Sequence, residues 1–586
     1  MKEINPHQVF AECFDEKIQG VARALSQRLS EGHICIDIDE YDKKETDKIH
    51  QSDLLSDYTD GINEEVKPFV LMNNKIYLRR YFKYETTILE KINSLLSSED
   101  IDKAKLQGQL LEKKKLVQEL FAKNETDKNK DNWQMIGAIS AFLNRFTIIT
   151  GGPGTGKTTT VAKLLTILYS IEPELKVALA APTGKAAARI NETLKVFKNE
   201  KASEEIIDKI QNLNASSIHR LMGGYQKFEH NQNKLLPYDV IIIDESSMID
   251  AALLAKLMCA VNDKSRLIML GDSNQLSSVE AGSIFGDLCQ TRGDNKNRFS
   301  KEYINYSNQF ITDNLLTGDN IIKADENLLT DCIVELEYSH RFENTKGIGK
   351  FSKDVINGID THLDEYKQVV DIDRFVKILA PKELNLDNSS NDFTKLIEGF
   401  RDYINKEAIK DVLNELSKVK VLCAIRDGKY GVYNLNQMIE KHLGLKKENE
   451  VFYHNQPILI TANNKELGIF NGDIGIIRKN TDDTKMAYFE IDGEIKAISL
   501  MYITDYETAF AMTIHKSQGS EYTNVAVVLT SNEQNKLLSR ELLYTAVTRA
   551  KEKVFIYSSD EILKKTIATK VKRVSGITIR LQTLKK

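Results

Sequence analysis

A chain of 586 residues with 41% hydrophobic and 28% charged residues has the composition of a globular protein with substantial cores, at about three or four domains' length, and is not a disordered chain. A net charge of only -5 excludes the whole-surface positive field of a small nucleic-acid-binding domain, so any such site must be a local basic groove. The six cysteines, Cys13, Cys35, Cys259, Cys289, Cys332 and Cys423, form no C-x-x-C pair, which argues against a zinc or disulfide framework and fits a reducing cytoplasm. The opening MKEINPHQVFAECFDEK has acids and no apolar core, and no run reaches the ~18 apolar residues of a membrane span, so the chain reads as soluble, unexported and without a membrane partner.

Residues 1–122 read as a mainly helical N-terminal domain, because from Glu85 to Ala122 Leu and Ile alternate with Lys and Glu at helical spacing. The polar run KNETDKNKDN, residues 123–132, has nothing to bury and reads as a linker. Short apolar runs ending in Gly or Asp then alternate with amphipathic stretches, at 146–150, 177–181, 240–244 and 267–271. That pattern predicts a parallel sheet wrapped by helices, an α/β domain over 133–337. Within it, 291–320 is polar, Asn-rich and weakly periodic, and reads as a long surface loop. Runs at 421–424, 525–529 and 554–557 predict a second α/β domain over 338–586. Its segment 445–505 departs from this pattern: turn signals at Asn471-Gly472-Asp473 and Asp492-Gly493 separate short strands, which predicts a small β-barrel insertion. Two α/β folds in one chain invite a nucleotide at their interface.

The strongest chemical signal is FTIITGGPGTGKTTT, in which an apolar run leads into Gly151, Gly152, Pro153, Gly154, Thr155, Gly156, Lys157, Thr158 and Thr159 and a helical stretch follows. In that context it is a P-loop. The glycines let backbone N–H groups curl around phosphates, Lys157 neutralises β/γ oxygens, and the Thr158 hydroxyl ligates Mg²⁺. In VIIIDESSMID an apolar strand ends at Asp244 and Glu245, one carboxylate for the Mg²⁺ shell and one to activate the attacking water. That pair predicts a hydrolase. Gln275, in LIMLGDSNQLSSV, follows a third strand, where open parallel sheets place their ligands, and can sense a γ-phosphate.

Together these residues resemble a superfamily 1 helicase. Pro182 and Thr183, in APTGKAA, and His219, in SIHRL, are similar to family segments that touch single-stranded DNA. A lone His or Thr more often packs or caps, so these positions draw their weight from the P-loop. Downstream, Arg341 in YSHRF, Thr513, His515 and Lys516 in AMTIHKSQGSE, and Arg549 in YTAVTRA resemble later helicase motifs, the last an arginine finger on the γ-phosphate, with Arg341 a second candidate. The P-loop and Arg549 fall in different predicted domains, so hydrolysis would be completed only on domain closure.

Within that superfamily the chain resembles the RecD family, the α subunits of exodeoxyribonuclease V, in the B group. The resemblance rests on Tyr77-Leu78-Arg79-Arg80-Tyr81 with Glu85, on Gln134 upstream of the P-loop, similar to an adenine-contacting glutamine, and on Asn471-Gly472-Asp473-Ile474-Gly475 in the insertion. It implies tandem RecA-like motor domains with an SH3-like insertion, an N-terminal domain that docks partners, and ATP with Mg²⁺. It also implies 5′ to 3′ movement on single-stranded and duplex-end DNA, and a heterotrimer with RecB-like and RecC-like subunits that processes double-strand breaks for recombination. No metal-nuclease carboxylate cluster is evident, so nuclease activity is expected on a partner. The chain lacks the long extra N-terminal region of standalone RecD-like helicases, which favours the complex subunit. The alternatives are a standalone DNA or RNA helicase of the superfamily, and a scaffold with a vestigial ATP site, which intact Lys157, Glu245 and Arg549 disfavour.

Overall fold

Six parallel strands form the sheet that carries the P-loop, in the order Ile333–Leu336, Phe146–Gly151, Arg266–Gly271, Val240–Ile243, Val177–Ala181, Ser216–Ser217. Phe146–Gly151 and Val240–Ile243 are buried at every residue, as near-continuous apolar strands covered on both faces must be. From Phe146–Gly151 the chain crosses to Val177–Ala181, works back to Arg266–Gly271, and places its last strand on the far side of the first. The P-loop strand therefore lies at a switch in strand order, where crevices open beyond the carboxyl ends.

This computed structural model describes residues 5–58, 66–97, 103–122, 131–224, 227–293, 296–322, 327–343, 345–367, 375–446, 450–464, 466–480, 482–491, 493–530 and 537–583. Most of the expected linker, residues 123–130, lies outside them. The chain divides into two units, one of Met1–Ser273, Ser277–Glu337 and Lys572–Lys586, the other of Asn274–Leu276 and Tyr338–Val571. These boundaries differ from the sequence-based division at three places.

First, residues 1–122 group with the first motor domain in one unit, although Ile18, Val21, Ile36, Phe69 and Ile76 form a core of their own. The helix Arg79–Ser97 buries Ile88, Leu89, Ile92 and Leu95 in the same core as Phe146, Ile241 and Leu267. Beside its helices the N-terminal region also holds a four-stranded sheet, in the order Cys35–Asp37, Lys75–Leu78, Phe69–Met72, Leu55–Asp57, which the periodicity does not predict. Second, the chain's end, placed by sequence in the second motor domain, belongs to the first unit. Its helix Ile577–Thr583 contributes Ile577 and Leu581 to that common core. Glu85, with no exposed surface, accepts hydrogen bonds from Gly576 N (2.8 Å), Tyr77 OH (3.0 Å) and Arg580 Nη1 (3.0 Å). Third, residues 274–276 leave the first unit for the second, as described below.

The surface-loop reading of 291–320 is also corrected. Lys301–Ser307 is helical, Phe299, Tyr303, Tyr306 and Phe310 are buried, and Tyr303 OH donates to Ile136 O at 2.8 Å. These aromatics recur at helical spacing, hidden among Asn, Lys and Asp. Trp133 is likewise a packing residue, buried with its ring centroid 6.4 Å from that of Phe299.

The second unit holds a five-stranded parallel sheet, in the order Val376–Leu379, Ala550–Tyr557, Tyr522–Val528, Val419–Cys423, Ala511–Thr513. The expected insertion is a five-stranded antiparallel sheet, in the order Glu494–Ser499, Lys485–Ile491, Ile474–Lys479, Gln456–Ile460, Tyr506–Thr508, and it runs slightly beyond the predicted end. Ile458, Ile477, Ala487, Phe489 and Ile498 give it a core of its own. Among the described residues no helix is long and apolar enough to cross a membrane.

Candidate functional site

In the first unit the turn between Phe146–Gly151 and the helix Lys157–Ile171 is shaped by its glycines. Gly154 (φ 78°) and Gly156 (φ 84°) are left-handed, where an L side chain costs about 1–2 kcal/mol. A Cβ on Gly151 would stand 2.8 Å from Thr155 Oγ1 and 2.9 Å from the Leu336 carbonyl. Gly156 caps the helix without a side-chain bond, so the helix offers backbone N–H groups and the positive end of its dipole to an anion. Lys157 Nζ folds along this loop and donates to Gly151 O (2.6 Å) and Gly152 O (3.3 Å). Thr155 Oγ1 donates to Gly152 O at 2.8 Å, and Gln134 Nε2 ties the preceding helix to the loop through Thr155 O at 3.0 Å. Pro153 and Thr158 are partly exposed and Thr159 is exposed.

Asp244 ends the strand Val240–Ile243, and its Oδ2 stands 3.5 Å from Thr158 Oγ1. Burial, and then the neighbouring Glu245 carboxylate, push the Asp244 carboxyl up to about 6, against the lowering effect of Lys157. Glu245 N donates to Asp244 Oδ1 at 2.7 Å, and Glu245 itself is left-handed (φ 52°, ψ 38°). The other described non-glycine residues with positive φ are all Asn or Asp, which tolerate that region; a glutamate there stores about 1–3 kcal/mol of strain. A hydroxyl and a carboxylate side by side are the hard oxygen donors that Mg²⁺ takes, and the adjoining ammonium and uncapped helix suit a triphosphate. The residues present therefore fit Mg²⁺ and ATP.

In the second unit Arg549 is buried between the helix Arg540–Val547 and the strand Ala550–Tyr557. Its Nη2 donates to Gln275 Oε1 (2.6 Å), its Nε to Thr545 O (3.1 Å) and its Nη1 to Ser520 O (3.3 Å). Arg341 pairs with the next residue, Glu521, at 2.6 Å. Gln275, Arg341 and Arg549 thus gather around one segment, while Gln134, Lys157, Thr158, Asp244 and Glu245 gather around the P-loop in the first unit.

The expected strand contacts fall beyond the carboxyl ends of parallel strands. In the first unit Pro182 follows Val177–Ala181, and Thr183 caps the helix Gly184–Lys195 by accepting from Ala186 N at 3.2 Å. His219, in the short helix Ile218–Leu221, lies 5.7 Å from the Phe228 ring, and burial lowers its pKa. In the second unit Thr513 ends Ala511–Thr513, and its Oγ1 accepts from Lys516 N at 3.3 Å, holding the turn that presents His515 and Lys516. Lys516 Nζ lies 3.6 Å from Glu507, which Arg426 also engages. Sequence reasoning missed the contacts of Gln518 and Thr545, whose side chains bond the Leu276 backbone; both lie inside the motifs above, but Leu276 is more than 240 residues away and leaves no local signal.

A model of an AAA domain matches residues 134–281, and a model of a UvrD-like helicase C-terminal domain matches 508–557. With the fold and the P-loop site, these define a P-loop nucleoside triphosphatase of helicase type. RecBCD enzyme subunit RecD of Buchnera aphidicola subsp. Schizaphis graminum is 31% identical over 549 residues, 89% of this chain and 86% of that protein. The RecBCD enzyme subunit RecD of Haemophilus influenzae is 32% identical over 566 residues, 88% of this chain and 82% of that one. The chain belongs to the RecD family. It is also 26% identical to the ATP-dependent RecD2 DNA helicase of Deinococcus radiodurans over 421 residues, 70% of this chain and 47% of that one.

Proposed function

We propose that the chain is an ATP-dependent 5′ to 3′ DNA helicase, the motor subunit of a cytoplasmic RecBCD-type helicase–nuclease acting with RecB-like and RecC-like subunits on single-stranded and duplex-end DNA in recombinational repair. The observation that carries this reading is relatedness at 31–32% identity along 88–89% of the chain to proteins named as RecBCD subunits. The lower identity of 26% to a RecD2 helicase makes the standalone reading second.

The chain's own residues supply the chemistry. The P-loop N–H groups and Lys157 bind the phosphates of ATP, and Gln134 borders the loop from the adenine side. Thr158 and Asp244 would hold Mg²⁺, which when bound would neutralise phosphate charge. Glu245 accepts a proton from the attacking water, and Arg549 stabilises charge developing on the γ-phosphoryl group. Pro182, Thr183, His219, Thr513, His515 and Lys516 line the path of a single strand, gripped through phosphate contacts and a few stacked bases, so binding is weakly sequence-specific and salt-sensitive. The test is ATP turnover by the purified chain alone, with single-stranded DNA and with RNA of the same length. Stimulation by DNA supports the reading; stimulation by RNA only, or DNA-independent turnover, contradicts it.

A further inference from the structure

Gln275 lies four residues beyond the strand Arg266–Gly271 of the first unit, yet residues 274–276 belong to the second. Ser273 remains with the first unit: its N–H donates to Thr150 Oγ1 (3.3 Å) on the strand that enters the P-loop. Ser277, likewise in the first unit, pairs with Ser283 at 2.7 Å. Between them Leu276 is clipped on both sides of its backbone. Its N–H donates to Thr545 Oγ1 at 2.9 Å, and its carbonyl accepts from Gln518 Nε2 at 2.9 Å. Its side chain joins the core that contains Phe342 and Tyr544. Thr545 has no exposed surface and Gln518 is buried, so neither bond is traded against water.

We propose that Thr545 and Gln518 are positioning residues for nucleotide hydrolysis. They lock residues 274–276 to the second unit, so that Gln275 and Arg549 form one rigid pair and Gln275 moves with Arg549, not with the strand it follows. A three-residue excursion has too few contacts to hold this place on its own. Both polar groups of Leu276 are satisfied by side chains from the two segments that also carry Arg549's other partners, Ser520 O and Thr545 O. This inference rests on the hydrolytic role given to Arg549 above.

The test is a double-mutant cycle in the full chain. Thr545→Val keeps the shape of the side chain and removes the acceptor, leaving a buried N–H unpaired; the expected loss in DNA-stimulated kcat is about tenfold, with nucleotide affinity within about twofold of wild type. Thr545→Ser restores turnover. In a Gln275→Ala background Thr545→Val costs nothing further, because the residue acts through Gln275. Thr566→Val, at a buried threonine bonded only to its own helix at Ile562 O (2.7 Å), serves as the structural control and leaves kcat unchanged. Gln518→Leu attacks the carbonyl side of the clip and reports the same coupling should Thr545→Val lose its fold. Additive losses in the Gln275→Ala background, unchanged turnover in Thr545→Val, or an equal loss in Thr566→Val overturns the inference while the hydrolytic reading stands. A wild-type chain without DNA-stimulated turnover refutes the helicase reading, and the inference falls with it.

Discussion

Replacing Arg580 by Met keeps an apolar stem beside the Phe82 ring, which lies 4.7 Å from the guanidinium carbon, and removes the charge that faces Glu85. Glu85 has no exposed surface, Arg580 is 8% exposed, and they meet at 3.0 Å, with Arg580 Nη2 donating also to Thr86 Oγ1 at 2.7 Å. Breaking a buried pair by removing one partner costs about 3–5 kcal/mol, because the remaining carboxylate stays buried with only Tyr77 and Gly576 as partners. At about 1.4 kcal/mol per tenfold, opening of the C-terminal segment becomes roughly 100- to 4,000-fold more frequent. Hydrogen exchange reads this directly at three amides: Ile34, bonded to Val574 O (3.1 Å), Gly576, bonded to Glu85 (2.8 Å), and Arg580, bonded to Gly576 O (2.9 Å). The double variant Glu85→Gln/Arg580→Met removes both charges and is expected to recover at least half of the loss. Gly576→Ala should open the same segment by steric means, since its Cβ would fall 1.9 Å from Tyr77 Oη. Less than tenfold faster exchange in Arg580→Met, or a double variant worse than the sum of the singles, would refute the view that this ion pair fastens the chain's end to the N-terminal domain.

Glu245→Gly should stabilise the fold by up to about 2.5 kcal/mol, the strain of about 1–3 less the glycine's entropy cost of about 0.5–1, while ATP turnover collapses at least about 100-fold; a lowered thermal midpoint would remove the case for stored strain. Burial pushes the Asp287 carboxyl up to about 7, against a lowering hydrogen bond from Ser575. Its folded pKa thus exceeds the unfolded value of about 3.9, so this contribution to stability is whole below pH ~4, is lost as pH rises from ~4 to ~7, and is flat above; the span is at most (7 - 3.9) × 1.36, about 4 kcal/mol. Asp287→Asn should therefore gain on the wild type between pH ~4 and ~7 in thermal melts, with no further gain above, and parallel curves across that window would reject the assignment. Lys157→Gln should abolish ATP hydrolysis while strand binding and thermal midpoint stay near wild type, and unchanged turnover would sink the P-loop assignment.

The motor sheets were legible because most of their strands are apolar runs of four to eight residues, with Phe146–Gly151 and Arg266–Gly271 ending in Gly and Val240–Ile243 running into Asp244, and burial on both faces enforces that composition. The P-loop, Asp244 and Glu245 follow from such runs by local spacing alone. The N-terminal sheet escaped because Cys35–Asp37 and Leu55–Asp57 are three residues long, too short for an alternation to register. Glu85 was visible as part of a motif, but its partner Arg580 lies 495 residues away, and nothing local to either predicts the pair. The same holds for Leu276 and Thr545, 269 residues apart, whose bond moves Gln275 out of the domain its strand belongs to. In 291–320 the polar residues outnumber Phe299, Tyr303, Tyr306 and Phe310, so mean polarity concealed a buried aromatic face. The left-handed backbone at Glu245 has no sequence signature, since among the other described residues that region is written in Gly, Asn or Asp.

The most direct test of the proposed motor is strand displacement by the purified chain with ATP, on duplexes carrying either a 5′ or a 3′ single-stranded overhang, with Lys157→Gln as the inactive reference. Unwinding from the 5′ overhang alone, lost in Lys157→Gln, is the predicted result. Displacement from the 3′ overhang, or displacement that persists in Lys157→Gln, would contradict it.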